Sequence, residues 1–204
     1  MIFVVFEIAF FAVLLAGDLL AKHYVMPFLA NQPGNYFVVI DKVLTFRYSL
    51  NDGAGFGAFS GKQTFLIVLT IVAMVVITGV LVFLHLKNKQ KKAAGRFLIS
   101  TLVMILAGGV GNLVDRIMLG EVRDFIDYTI VETIFNRSFA ICNLADVWLT
   151  LGMIFLIIYV IFFFKEEKPV KPVEPDDEIG DDEENVKAAL EMYENKGETS
   201  GEEK

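Results

Sequence analysis

Two aspartates stand where apolar sequence meets polar sequence. Asp124 lies in the polar stretch after one long apolar run, and Asp146 lies where the next apolar run begins. A carboxylate in or near a membrane is costly unless protein groups pair or solvate it, so both residues are candidates for function. If the two meet in one partly desolvated site, they cannot both ionise easily and can share a proton, as in aspartic proteases. The chemistry predicted is hydrolysis without a metal or a covalent nucleophile.

A structural interpretation of the same two residues stays open. The contexts DFIDY and NLADVW also permit Asp124 and Asp146 as helix N-caps, because the carboxylate of Asp accepts hydrogen bonds from the first free backbone N–H groups of a helix. A cap needs only a hydrogen-bond acceptor, whereas catalysis needs proton exchange. The residues alone do not decide between these roles.

The elements that must position the two aspartates are membrane spans. The chain has 204 residues, of which 55% are hydrophobic and 19 are Phe, which is too apolar for a soluble domain. Four runs approach the roughly 20 apolar residues that a bilayer-spanning helix needs. The predicted spans are residues 2–20, 63–86, 97–114 and 147–164. The first is expected to remain uncleaved, since no basic residue precedes it and no small-x-small site follows it. Small residues near the end of the third predict close helix approach.

A basic loop orients these spans. Residues 87–96, KNKQKKAAGR, hold five Lys/Arg and no acid, so by the positive-inside rule the loop is cytoplasmic. Alternation then places both termini in the cytoplasm and segments 22–62 and 113–146 on the opposite side. The polar candidates therefore converge at one membrane face.

Between the first two spans the sequence predicts a small sheet. Pro27, Pro33 and Gly34 are breakers, and the apolar runs at 37–40 and 43–50 are typical of short strands. In the second run polar and apolar residues alternate, which favours a sheet with one apolar face lying against the membrane surface. The fold class predicted is thus an all-α membrane protein, a four-transmembrane-helix bundle with a small extracytoplasmic β-sheet and a short helix or loop. Residues 36–50 and 123–137 would form these covering elements above the site.

Beyond the spans, composition changes sharply. Residues 166–204 hold 15 Asp/Glu against 5 Lys, so this part has a formal charge of −10. Residues 1–165 have a formal charge of +3, which gives the net charge of −7 for the whole chain. Because it is acidic and poor in apolar residues, it is predicted to be a disordered cytoplasmic tail, separate from a membrane domain at 1–165. Two isolated histidines and one cysteine, Cys142, suggest neither a metal site nor a disulfide. No cofactor and no nucleic-acid partner is expected.

An ion pair is predicted at the end of the first span. Asp18 and Lys22 are four residues apart, so they share a helical face. They are either an interfacial pair that fixes the depth of the helix or part of the polar site.

The ordered motifs resemble those of bacterial lipoprotein signal peptidase, also called signal peptidase II, a four-helix membrane aspartic protease. The matching stretches are Asp18-x-x-x-Lys22, Asn51-x-Gly53-Ala54-x-Phe56-Gly57, GGVGNLVDRIMLGEVRDF and Asn143-x-Ala145-Asp146. Singly the first two are weak, but in this order and with the spans between them they are specific. Cys142 departs from the pattern, which commonly has Phe before the Asn.

The resemblance implies an activity and roles. It implies that Asp124 and Asp146 are a catalytic dyad that removes signal peptides from prolipoproteins just before a diacylglyceryl-modified cysteine. The implied partners are these substrates and membrane lipids. The other residues that it implies line or support the site are Asn51, Gly53, Asn112, Asp115, Arg116, Asn143, Asp18 and Lys22.

Two other classes of function compete with this interpretation. A small transporter or channel would use intramembrane carboxylates as ion sites, but its polar residues should be spread through the membrane depth. A structural or assembly subunit would leave the clustered Asn, Arg and Asp residues unexplained.

Overall fold

The computed structural model describes residues 2–53 and 59–163, together with Lys187. Within these residues, four helices are long and apolar enough to cross a membrane, which confirms the predicted four-span architecture. They are α1 (Ile2–Ala30), α2 (Gln63–Leu86), α3 (Ala93–Leu119) and α5 (Leu144–Phe162), while α4 (Thr129–Phe135) is short. α3 contacts the other three long helices and is the centre of the bundle. Apart from Lys187, the predicted disordered tail lies outside the described residues.

Two helices continue beyond their predicted spans. The break predicted at Pro27 is wrong, because Pro27 lies inside α1 and the helix runs on to Ala30. Its neighbours Met26 and Leu29 are buried in the core, so packing holds the last turns helical. α3 likewise extends to Leu119 and ends at Gly120, whose φ of 78° is the left-handed conformation common at helix C-termini.

Three antiparallel strands form a sheet at one end of the bundle. β1 (Tyr36–Ile40) pairs with β2 (Leu44–Asn51), as predicted, and β2 also pairs with β3 (Val122–Asp127). The third strand was not predicted, since its two aspartates and one arginine weaken the strand pattern of VRDFID. The β2 face is less regular than predicted, because Thr45 is buried and Leu50 stays exposed.

A compact apolar cluster joins this sheet to the helices. Met26 and Leu29 from the end of α1 pack against Phe125 and Ile126 of β3. The Phe125 ring also meets Phe46 of β2 edge to face, with ring centroids 5.6 Å apart. Burial of these side chains fixes the position of β3, and with it the position of Asp124.

Glycines let the helices approach closely, as the small residues of the third span predicted. A Cβ on Gly108 would collide with the Ala145 carbonyl and would lie 2.8 Å from Leu149 Cγ of α5. A Cβ on Gly111 would lie 2.5 Å from Asp18 Oδ2 of α1. Gly109 is different, since its nearest neighbours would be at ordinary contact distance. The glycines therefore bring α1, α3 and α5 together at the level of the polar residues.

Candidate active site

The first candidate carboxylate, Asp124, is supplied by β3. The strand register places Asp124 opposite Ser49 of β2, and its side chain is almost fully buried. Asn51 Nδ2 donates to Asp124 Oδ2 over 3.0 Å, and Asn143 Nδ2 donates to Asp124 Oδ1 over 2.6 Å. Because Asp124 lies in a strand, its interpretation as a helix N-cap is wrong.

The second carboxylate, Asp146, lies in the first turn of α5. The N-cap of this helix is Asn143, so the N-cap interpretation of Asp146 is also wrong in detail. Asp146 is instead the third residue of a capping box, in which Asn143 N donates to Asp146 Oδ2 over 3.1 Å. Its other oxygen, Oδ1, accepts from Asn112 Nδ2 of α3 over 2.7 Å. Two N–H donors thus hold both oxygens of Asp146 in place at the start of α5.

Asn143 connects the two carboxylates. Its Nδ2 donates to Asp124 and also to Asn112 Oδ1 over 3.0 Å, while its Oδ1 accepts from Asp146 N over 3.0 Å. Each oxygen of Asp124 and Asp146 therefore receives a hydrogen bond from an asparagine. Such a frame sets the orientation of both carboxyl groups without adding a charge.

The electrostatics of Asp124 suit a proton carrier. Burial, followed by the nearby charge of Asp146, raises the pKa of Asp124 to about 7, against the lowering effect of the bonds from Asn51 and Asn143. A carboxyl group whose pKa lies near 7 can act as an acid while a neighbouring carboxylate acts as a base. The arrangement is suited to activating water.

Behind the carboxylates lies an ion cluster of three buried side chains, Asp18, Lys22 and Asp115, and the partly exposed Arg123. Lys22 Nζ is 2.8 Å from Asp18 Oδ2 and 3.3 Å from Asp115 Oδ2, and all three side chains are inaccessible to solvent. Arg123 Nη2 completes the cluster at 2.6 Å from Asp115 Oδ1. The pair of Asp18 and Lys22 is thus confirmed, but it lies in the protein interior and not at an exposed interface.

Arg123 was missed in the sequence. It sits directly before Asp124 in a strand in which three of six residues are charged, and a basic residue next to a candidate carboxylate was the available signal. Its backbone N also donates to Asp115 Oδ2 over 3.0 Å, so Arg123 joins the end of α3 to β3.

The loop after β2 reaches the site through Arg116. Gly53 N donates to Asn51 Oδ1 over 2.9 Å, and Gly53 O accepts from Arg116 Nη2 over 3.0 Å. These contacts turn the Asn51 amide so that its NH2 faces Asp124. The matched positions Ala54, Phe56 and Gly57 lie outside the described residues.

The predicted site residues form one connected set. Every one of them lies within 3.3 Å of at least one other, through a hydrogen bond or an ion pair. The set comprises Asp18, Lys22, Asn51, Gly53, Asn112, Asp115, Arg116, Asp124, Asn143 and Asp146.

A mainly apolar cavity of about 600 Å³ opens beside Asp124 and Asp146. Both carboxylates line it, together with side chains of α5, β3 and the segment before α5. Representative lining residues are Asn51, Tyr128, Cys142, Val147 and Leu151. Burial, and then the negative charges nearby, raise the pKa of the Cys142 thiol to about 12, so it is neutral near pH 7 and unsuited to act as a nucleophile.

The fold and the site define a polytopic membrane protein with two hydrogen-bonded aspartates, one buried and one partly buried, beside an apolar cavity. The family model described as signal peptidase (SPase) II matches residues 10–162. The chain belongs to the signal peptidase II family, and it is a peptidase of the bacterial membrane that crosses the bilayer several times.

Curated relatives and solved structures agree with this assignment. The lipoprotein signal peptidase of Staphylococcus carnosus (strain TM300) is 38% identical over 136 residues, which cover 66% of this chain and 78% of that protein. That of Staphylococcus aureus (strain Newman) is 39% identical over 140 residues, covering 68% and 79%. A bacterial membrane enzyme solved by the in meso method at 2.3 Å resolution is similar with a TM-score of 0.64 and 32% identity, covering 82% of this chain and 94% of that one.

Proposed function

We propose that this protein is an aspartic endopeptidase that removes signal peptides from prolipoproteins and cuts before the diacylglyceryl-modified cysteine. The observation that carries the mechanism is the asparagine frame, the set of hydrogen bonds that Asn51, Asn112 and Asn143 donate to Asp124 and Asp146. Both aspartates also line the cavity. Membership of the signal peptidase II family supports the substrate class.

In the proposed reaction, Asp146 acts as the base and takes a proton from a water molecule as the water oxygen attacks the scissile carbonyl carbon. Asp124, whose pKa is raised to about 7, donates a hydrogen bond from its protonated form to the developing oxyanion. Collapse of the tetrahedral intermediate re-forms the carbonyl and breaks the C–N bond, and the leaving nitrogen takes the proton that Asp146 had accepted. Both residues thereby return to their starting protonation states, and the reaction proceeds without a covalent intermediate.

The apolar cavity supports a membrane-embedded substrate. Its lining includes Val147, Leu149, Leu151 and Met153 on α5, a membrane-spanning helix. A signal-peptide helix and the acyl chains of a lipid-modified cysteine are both apolar and could enter from the bilayer. Prolipoproteins and membrane lipids are therefore the proposed partners.

The proposed location is the bacterial inner membrane, with both termini in the cytoplasm. The basic loop at 87–96 supports this orientation. The site would then lie near the extracytoplasmic face, where exported substrates arrive.

A transporter is less well supported by the distribution of charge. The buried acids Asp18, Asp115, Asp124 and the first-turn residue Asp146 gather near one end of the bundle, beside the sheet. An ion pathway needs polar groups through the membrane depth.

The direct test is cleavage of a lipid-modified preprolipoprotein by the purified protein, followed as a mobility shift. The same preprolipoprotein without its lipid is the matched control, and only the lipid-modified form should be cut. Absence of cleavage by folded wild-type protein in lipid would reject the proposed function.

A further inference from the structure

The orientation of the Asn112 side-chain amide decides whether Asp146 Oδ1 receives a hydrogen bond from it. Asn112 Nδ2 donates to Asp146 Oδ1 over 2.7 Å. The two ends of an asparagine amide have nearly the same shape but opposite hydrogen-bonding character. If the amide turned over, its oxygen would face the carboxylate and repel it. Something behind Asn112 must therefore hold the oxygen away from Asp146.

Lys22 is the group placed to do this. Its Nζ donates to Asn112 Oδ1 over 3.0 Å, from the side opposite Asp146. An ammonium group has three donors and no acceptor, so it accepts only the oxygen end of the amide as its neighbour. The bond joins two fully or almost fully buried side chains, so water does not compete for it.

Asn143 alone is not sufficient for this task. Its Nδ2 also donates to Asn112 Oδ1, but it has two hydrogens for three acceptors, the others being Asp124 Oδ1 and Arg123 O. The shortest of the three contacts, 2.6 Å, goes to Asp124. Lys22 thus satisfies Asn112 and leaves the Asn143 amide available to Asp124.

The rest of the ion cluster holds Lys22 in place. Two carboxylates, Asp18 and Asp115, surround its ammonium, and the partly exposed Arg123 supplies the second basic group, so the formal charges of the four side chains cancel. Asp18 is itself anchored, since its Oδ1 accepts from Ala145 N in the first turn of α5 over 2.9 Å. The same cluster therefore joins α1, α3, β3 and α5 behind the dyad.

From this geometry we propose that Lys22 is a positioning residue for catalysis, which acts through Asn112 to orient the hydrogen-bond donor of Asp146. The inference rests on the proposed function, because it concerns the same dyad. Neither Lys22 nor Asn112 lines the cavity, so the effect falls on kcat and leaves KM nearly unchanged.

The test is a double-mutant cycle on purified, lipid-reconstituted full-length protein with Lys22→Met, Asn112→Ala and the double variant. Lys22→Met should lower kcat at least about tenfold, since a displacement of about 1 Å in a catalytic group can cost on the order of 100-fold. In the Asn112→Ala background the same substitution should have almost no further effect, because its target is gone. Arg47→Gln, which removes the exposed pair with Asp127 at 3.0 Å, is the control and should leave kcat unchanged.

Lys22→Met leaves a buried negative charge uncompensated and can prevent folding. The variant Asp18→Asn with Lys22→Met restores neutrality while still lacking the donor, and it should fold yet keep the low kcat. Recovery of wild-type kcat in this variant, or additive losses in the cycle, would overturn the proposal in favour of a purely structural role. Failure of both Lys22 variants to fold would count against it equally.

Asp124→Asn is assayed in parallel to separate the two proposals. Normal cleavage by Asp124→Asn would reject the proposed dyad. An inactive Asp124→Asn together with a normal kcat for Lys22→Met would reject only the role of Lys22.

Discussion

Gly111 and Asp18 are packed so closely that a Cβ on the glycine would lie 2.5 Å from Asp18 Oδ2. The same Cβ would lie 3.1 Å from Ala145 Cβ, whose backbone N donates to Asp18. The absence of a side chain at position 111 is therefore what allows the carboxylate of α1 to reach the first turn of α5. This contact fixes the polar cluster behind the dyad.

Gly111→Ala is expected to destabilise the protein by about 1–3 kcal/mol, the usual cost of overpacking, and to reduce cleavage. Thermal unfolding in detergent and an activity assay measure the two effects. Gly109→Ala is the matched control two positions earlier, since its Cβ would find neighbours only at 3.9 Å and 4.0 Å. Equal unfolding temperatures and equal cleavage rates for the two variants would show that the close contact with Asp18 is unimportant.

Asp124→Asn and Asp146→Asn should each reduce turnover on the order of 1,000-fold or more, with the double variant little worse, because groups that act as one unit are non-additive. Asparagine keeps the size of aspartate but cannot exchange a proton. Single-turnover cleavage of a lipid-modified preprolipoprotein measures the effect.

Asp41→Asn, in the exposed turn between β1 and β2, is the matched control for charge removal and should retain full activity. Substantial cleavage by well-folded Asp124→Asn protein would rule out the aspartic mechanism.

The stability of the protein should depend on pH through Asp124. Its pKa is raised from 3.8 to about 7, mainly by burial. A raised pKa in the folded state means that the stabilisation is fully present below about pH 3.8 and is lost as pH rises through about 7. At about 1.4 kcal/mol per pKa unit, the total loss in the free energy of unfolding is at most roughly 4 kcal/mol, and it is complete once the pH exceeds about 7.

Unfolding temperatures of Asp124→Asn and wild type, compared at pH 5 and pH 8, test this linkage. The variant cannot ionise, so its stability relative to wild type should rise between the two pH values. A difference that is independent of pH would mean that Asp124 ionises normally in the folded protein. Asp41→Asn again serves as the control and should show no such trend.

Truncation after Lys165 should leave membrane insertion and cleavage intact. Every site residue lies between Asp18 and Asp146, and α5 ends at Phe162. Cleavage rates of full-length and truncated protein in the same lipid measure the difference. A stable, inserted but inactive truncation would make the acidic segment part of the enzyme.

Cysteine labelling can establish the orientation in the membrane. A cysteine placed at Lys91 should react with a membrane-impermeant reagent only from the cytoplasmic side, and one placed at Lys42 only from the other. Labelling of Lys91→Cys from outside would invert the topology and place the site away from exported substrates.

Much of this architecture could be predicted from the sequence, because membrane spans are set by a local property. A run of about 20 apolar residues satisfies its backbone only as a helix in a bilayer. That rule predicted spans at 63–86 and 147–164, and the structure has α2 at Gln63–Leu86 and α5 at Leu144–Phe162. Charge asymmetry and ordered polar motifs then indicated which residues belong to one site.

The tertiary structure decided what depends on contacts between distant segments. β3 is a strand because Phe125 and Ile126 are buried against α1, although its local sequence is rich in charge. The helix continues through Pro27 because Met26 and Leu29 belong to the same cluster. The asparagine frame joins residues from β2, α3, β3 and the start of α5, and Arg123 enters the ion cluster only because β3 meets the end of α3. Hydrogen-bond geometry of this kind depends on packing in three dimensions, and no spacing along the chain encodes it.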